Sequence, residues 1–583
     1  MSGAVGAALA AASLAACAGG PTAGVRSLSL QGRDSGSLYG AYLAGRFAVA
    51  ARDTDRAEAY YLDALKAEPG NAILLRRAFL LALANGDMSQ AIDLAGAMGE
   101  EKSGIASLTL TAEEMRRGRY GAARRLLADA DFGPFNATLA VLLDAWSFVD
   151  EGRYDMALER LAADERRDIF RGFHPLHRAL ILEASDQRRA ADAAYVAASR
   201  SASAGQVRAA YGIFLERQGE DGRAPAETHY RAILDIAPYD FGAQAGLRRV
   251  LDGDEAPEPF AAGALAGGAL AFFNMAAALA QDGGIETPLM YLQLALHLDP
   301  DMASAHIFQG ELYESRELWD EAADAFSRVK SSSALFPAAQ IALAVNLERL
   351  DEADRAIAIL RKQGYANDSR PDPAISGAAT AALLQLGDLL RAQDRFEEAV
   401  AVYDDALLQS EGQPASARWR TYFARGVAYE RAKDWPSAEK DLQAALDLSP
   451  EQPFVLNYLG YSWIDRGVNL SEGMELIERA VALQPNDGSI VDSLGWAHFR
   501  IGDYEEAVIH LERAAELTPA DPTIVDHLGD AYWRAGRRIE ARHQWRRALT
   551  LEPEEETEAL LRRKIELGLE PATGSGAGAK SGA

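Results

Sequence analysis

The chain has 583 residues, too many for one compact core, so it must divide into domains or extend as repeats. A formal net charge of −27 argues against nucleic acid and anionic lipid surfaces as direct partners and keeps the chain soluble. The lone cysteine, Cys17, excludes an internal disulfide.

The first element is a small-residue apolar stretch, Gly3 to Ala12, running into Leu14-Ala15-Ala16-Cys17. It is too short to span a membrane as a permanent helix. It resembles the lipobox of bacterial lipoproteins, although Met1–Gly6 lacks the basic residues such signals usually carry. The resemblance implies a signal peptide over residues 1–16, cut before Cys17, and acyl chains on that cysteine. At roughly 0.8 kcal/mol per buried methylene, several chains hold a protein firmly on a bilayer. Ala18, not Asp, follows the cysteine. Within the lipoprotein family that implies a periplasmic protein anchored to the outer membrane. Residues 17–36, rich in Gly and Ser, read as a flexible tether.

From residue 37 small residues recur in phase. Gly45, Ala57, Ala64 and Pro69 open the series, and Ala91, Ala123, Ala157 and Ala191 follow at intervals of 34, 32, 34 and 34 residues. Residues 37–251 therefore read as a first, degenerate run of helical hairpins. The segment 252–268 mixes acid, proline and glycine and reads as a linker. Residues 269–365 form a central run, carried by Ala276, Pro288, Ala295 and Pro300, by Gly310, Ala322 and Phe326, and by Ala344 and Ala356. Interruptions at Lys362–Gly377, with Pro371 and Pro373, and at Gln409–Ala417 read as surface loops. Residues 378–570 form the last run, opened by Gly387, Ala399 and Ala406. Residues 571–583 read as a disordered tail.

The last run carries the clearest signal. Gly426, Gly460, Gly495 and Gly529 lie 34, 35 and 34 residues apart. Each is followed by Ala438, Gly473, Ala507 or Ala541, then by Ala445, Ala480, Ala514 or Ala548, then by Pro450, Pro485, Pro519 or Pro553. Within one period, Ser489–Ile501 and Tyr504–Leu517 read as two amphipathic helices turned at Gly502-Asp503. Gly495 and Ala507 sit where the helices cross, because only small side chains allow so close an approach. Leu494, Phe499, Tyr504, Leu511 and Leu517 fill the gaps, Ala514 packs onto the next unit, and Pro519 ends the second helix. One hairpin cannot cover its own apolar face, so neighbours must stack.

These residues resemble the tetratricopeptide repeat, with Gly529, Tyr532, Ala541, Ala548 and Pro553 completing its pattern in one unit and Gly426, Tyr429, Ala438, Ala445 and Pro450 in another. The resemblance implies an all-α, right-handed solenoid of about 13–14 hairpins. In that family the first helix of each pair lines a concave groove. Carried over position by position, the groove residues are Asn457, Tyr461, Asp492, Trp496, Arg500, Asp526, Asp530, Trp533 and Arg534. Trp, Tyr and Arg are the side chains that most often carry interface energy. Paired with Asn and Asp, they suit an extended or helical peptide. Trp496 and Trp533 also suit burial between hairpins.

Residues 453–551, with NYLGYSWID, VDSLGWAHFRIGDYEEAVIHLERA and HLGDAYWRAGRRIEARHQWRRAL, resemble the last repeats of proteobacterial tetratricopeptide lipoproteins. Some of these are adaptors that bring a periplasmic carboxy-terminal processing protease to cell-wall hydrolases. The resemblance implies a non-enzymatic adaptor with protein partners, a lipid anchor, and neither nucleic acid nor a small-molecule substrate. A scaffold for envelope polysaccharide export or outer-membrane assembly is the alternative in the same class. A glycosyltransferase bearing such repeats would need a βαβ domain, and no segment of that length escapes the repeat phase. A cytosolic scaffold remains if Cys17 carries no lipid.

Catalytic signals are weak. Gly263–Gly268 lacks the Lys-Ser/Thr of a phosphate loop, and no Gly-x-Ser-x-Gly elbow occurs. His174 and His177 flank Pro175 without a third metal ligand, and His498, His510, His527 and His543 recur with the repeats and read as structural. No cofactor or metal is expected.

Overall fold

The computed structural model describes residues 37–51, 53–99, 104–164, 173–199, 204–280, 284–365 and 373–570. The expected signal peptide, Cys17, the tether and the tail lie outside them. Among the described residues the chain is all-helical, with thirty α-helices and no strand. Twenty-eight of the helices follow one another as fourteen pairs. Phe241–Asp252 and Glu555–Leu567 stand alone.

The small residues sit where the helices cross. The helices Gly488–Ile501 and Tyr504–Leu517 meet so closely that a Cβ on Gly495 would lie 2.6 Å from Leu511 Cγ. On Gly529 it would lie 2.5 Å from the Trp545 ring, and on Gly460 2.7 Å from the Gly473 carbonyl oxygen. Ala438, Ala507 and Ala541, and Ala445, Ala480, Ala514 and Ala548, are fully buried. So are Ala57, Ala91, Ala123, Ala157 and Ala191 in the degenerate run. Aspartates cap many helix starts: Asp503 Oδ1 accepts from Glu506 N–H, and Asp487 Oδ1 from Ser489 and Ile490 N–H. The turn inside the hairpin needs a left-handed residue, supplied by Gly502 (φ 89°) in one repeat and by Lys433 (φ 66°) in another.

The chain divides into two compact units, Arg26–Leu389 and Leu390–Ala583, leaving aside residues 1–25. The expected break at 252–268 does not separate units. Residues 264–268 open the helix Ala264–Leu279, which belongs to the first unit. The division falls instead inside the helix Gly377–Ala392, near the start of the run expected at 378–570.

In the first unit the hairpin Ala264–Leu279/Glu286–Leu298 does not simply extend the stack. It packs against the first helices of earlier pairs, Ala72–Asn85, Gly104–Arg116, Gly133–Trp146 and Phe173–Ala184. Ala264–Leu279 is apolar nearly all round and buries eleven residues, the pattern of a core helix. Gly267 lies against the Trp146 indole, where a Cβ would overlap the ring. Polar contacts fix the docking: Tyr291 OH donates to Asn136 Oδ1 at 2.6 Å, and His297 Nε2 lies 2.8 Å from Glu113 Oε2. The fully buried His177 accepts from Trp146 Nε1–H at 2.8 Å.

Candidate functional site: the first-helix face of the second unit

In the second unit the first helices Ala415–Arg431, Pro453–Arg466, Gly488–Ile501 and Pro522–Arg534 follow one another. Pro453 and Pro522 start their helices at N1, and Asp487 and Asp521 cap the last two. The nine expected groove residues lie on the last three of these helices: three make no side-chain hydrogen bond, two are paired, and four meet a later helix.

The first three, Asn457, Tyr461 and Trp496, make no side-chain hydrogen bond among the described residues. Asn457 is half-buried, and its Oδ1 is buried without a hydrogen-bond partner. Tyr461 is half-buried, and burial, followed by the charges of Asp465 and Asp492, pushes its hydroxyl up to about 12. Trp496 stacks between His527 (ring centroids 4.1 Å, 19°) and Phe499 (4.7 Å, 13°). Its Nε1 is buried without a partner. Phe423 and Tyr458 meet edge to face at 5.7 Å on the two preceding first helices.

Asp492 and Arg500 are spoken for. Asp492, 7 % exposed, lies 3.0 and 2.9 Å through its two oxygens from His527 Nδ1. Burial works against a charged His527 ring, but Asp492, with Asp526 and Asp530 adding to it, raises the pKa. Arg500 binds the Asp465 carboxylate and donates to its backbone carbonyl at 2.6 Å. His527, expected to be structural only, is thus the link between Asp492 and Trp496. The aromatic-acid alternation Asp492, Trp496, His527 is the signal that marks it.

The remaining four meet the last described helix, Glu555–Leu567, and the residues just after it. Lys564 Nζ donates to both Asp526 oxygens at 2.8 Å and to Asp530 at 2.9 Å. Trp545 Nε1–H donates to Asp530 Oδ1 at 2.9 Å. Trp533 is covered by Gly568 and by the guanidinium groups of Arg538 and Arg542, 5.2 and 4.9 Å from its ring centre. Arg534 donates to the Glu570 carbonyl at 2.7 Å. Asp526, Asp530, Trp533 and Arg534, expected as open groove, are therefore closed by a helix that follows no repeat rule. The last helix makes no such contact with Asn457, Tyr461 and Trp496, which are half-buried.

Models of the tetratricopeptide repeat match residues 291–339, 378–451 and 495–536. The chain therefore carries tetratricopeptide repeats in both units. It is 29 % identical over 210 residues to a TPR repeat-containing protein of Pseudomonas aeruginosa, covering 36 % of this chain and 33 % of that one. It is 32 % identical over 82 residues to bacteriophage adsorption protein A of Escherichia coli, covering 14 % and 8 %. The matches thus span a third or less of these curated relatives. Among solved structures, a chain of the APC/C hetero-tetramer Cut9–Hcn1 aligns at 14 % identity and a TM-score of 0.38, covering 90 % of this chain and 96 % of that one. YrrB, described as a TPR protein with an unusual peptide-binding site, aligns at 20 % identity and 0.25, covering 31 % and 91 %.

Proposed function

We propose that this chain is a non-catalytic scaffold that binds a segment of a partner protein along the first-helix face of its second unit. The observation that carries the proposal is the pair of buried, unpartnered polar atoms, Asn457 Oδ1 and Trp496 Nε1, on helices whose neighbouring positions are aromatic. Each such atom costs about 1–3 kcal/mol if it stays unpaired. A peptide backbone offers what both lack, an N–H for the Asn457 oxygen and a C=O for the Trp496 indole. Tyr461, with its hydroxyl kept neutral, adds a rigid apolar surface with a polar tip.

The finer reading rests on residues 453–551 and on Cys17. A lipid on Cys17 tethers the scaffold to the outer membrane, and the bound partner is a carboxy-terminal processing protease that meets its cell-wall hydrolase substrates on the same frame. Two partners held together meet at high effective concentration, which speeds cleavage without any chemistry from the scaffold.

A photo-crosslinking amino acid at Tyr461, compared with one at the exposed Ile509 on a second helix, tests the face directly. The Tyr461 probe should capture a defined protein adduct in cells that the Ile509 probe does not. Adducts that are identical from both positions would dismiss the face. Fatty-acid labelling of wild type and Cys17→Ser tests the tether separately.

A further inference from the structure

The first described helix, Leu38–Ala50, pairs with Thr54–Ala67 through a face of small residues. Ala41, Gly45 and Ala48 are buried there, and Gly45 lies against the Tyr61 ring. The opposite face is apolar and exposed. Tyr39 is 77 % exposed, Leu43 61 % and Phe47 71 %, and their spacing of four residues lines them up in one stripe. Exposed Val49 flanks the stripe, and exposed Arg46 and Ala50 share its face.

A stacked-repeat protein stays soluble when its terminal helices turn a polar face outward. Glu555–Leu567 does so: EETEALLRRKIEL holds four glutamates, two arginines and a lysine, and exposed Leu560 and Leu567 stand beside exposed Glu556, Arg563 and Glu566. Leu38–Ala50 has Arg46 as its one charge and no carboxylate, in a chain with 86 Asp and Glu. The acids that follow it, Asp53 and Asp55, belong to the start of the next helix, where Asp53 caps and pairs with Arg56. The stripe thus suits a neutral, apolar surface. A second copy of the chain fits it poorly. The stripe lies on one thirteen-residue helix, whereas a stable protein interface uses roughly 20–30 residues a side. A bilayer sets no such minimum, because each apolar side chain that enters it adds its own buried area.

The position of Cys17 selects the surface. It lies about twenty residues before Leu38, a length of chain that reaches at most about 70 Å. A lipid on Cys17 therefore holds this helix beside the bilayer. We propose that Tyr39, Leu43 and Phe47 dock the first helix on a lipid surface, with the stripe buried at the boundary between headgroups and acyl chains. The proposal rests on the reading of Cys17 as the lipid-bearing residue. Tyr39 suits the boundary because its ring is apolar and its hydroxyl polar. Arg46 can hold its charge among the headgroups while its stem lies along the apolar layer. The net charge of −27 gives no attraction to anionic headgroups, so the docking comes from apolar burial. A lipid alone tethers the chain; the stripe also orients its first repeat.

The test uses the full chain, purified from membranes into phosphatidylcholine vesicles, with an environment-sensitive fluorescent amino acid at Leu43 or at the exposed Ile509. A nitroxide carried on the lipid acyl chains should quench the probe at residue 43 and leave the probe at residue 509 unchanged. Tyr39→Ser/Phe47→Ser alters exposed side chains only, so the thermal midpoint should hold while quenching at residue 43 falls to the level at residue 509. Equal quenching at the two positions overturns the proposal, as does quenching at residue 43 that survives the double substitution. A blue shift at residue 43 without vesicles also overturns it. One that grows with protein concentration puts a second copy on the stripe, and one that does not puts the chain's own preceding residues there. Fatty-acid labelling separates the docking from the tether. A labelled chain whose residue-43 probe stays unquenched loses the docking and keeps the tether. An unlabelled chain whose probe is quenched by added vesicles keeps the docking and loses the tether, and an unlabelled, unquenched chain loses both.

Discussion

Single residues decide how closely the helices approach. Gly460 has the carbonyl of Gly473 and the side chain of Ile477 at 2.7 and 2.9 Å from where a Cβ would stand. A backbone oxygen cannot swing aside, so Gly460→Ala should cost about 1–3 kcal/mol by overpacking. Gly96 lies in the helix Met88–Ala97 with nothing within 4 Å of its missing Cβ. There the same substitution should stabilise by about 0.5–1 kcal/mol through helix propensity. Urea unfolding of the two variants reads the opposite signs. His527 gives a pH dependence. Its folded pKa is raised, so its contribution is fully present below the unfolded value of about 6.5 and is lost as pH rises through the folded value. Wild type should therefore lose stability relative to His527→Gln as the pH is taken upward from about 6.5. Urea midpoints of the two proteins that run parallel over that range would contradict the Asp492 pairing.

At the scale of the element, the helix Glu555–Leu567 is held by one side chain above the rest. Lys564→Ala would remove the ammonium that Asp526 and Asp530 share, at a cost of roughly 3–5 kcal/mol. The loss should show as early melting and as fast amide exchange in the helix Pro522–Arg534. Protection that stays unchanged in the variant would refute it. The same helix shows where sequence reading stops. Gly495, Ala507 and Ala514 were legible because close crossing forbids anything larger, and that constraint repeats with every unit. Which non-repeating segment covers a face obeys no period, so Asp526, Asp530, Trp533 and Arg534 read as open. The hairpin Ala264–Leu298 was legible as a hairpin for the same reason, but its resting place was not. Its own composition held a clue: ALAGGALAFFNMAAAL has no polar face to show to water.

At the scale of the molecule, the chain is two compact units with different uses of the same hairpin. In the first, the first-helix face of residues 72–184 is filled by residues 264–298. In the second, the last helix holds Asp526 and Asp530, while Asn457 Oδ1 and Trp496 Nε1 stay without a hydrogen-bond partner. A scaffold of this kind acts through what it holds, and its function is lost when the open face is lost even if the fold survives. The decisive measurement is quantitative affinity purification from solubilised membranes with wild type and with Asn457→Ala/Tyr461→Ala, after confirming equal thermal midpoints. The account predicts that wild type brings down a processing-type serine protease and that the double variant recovers at least about tenfold less of it. Undiminished recovery by the variant, or recovery of no common partner by wild type, would contradict it.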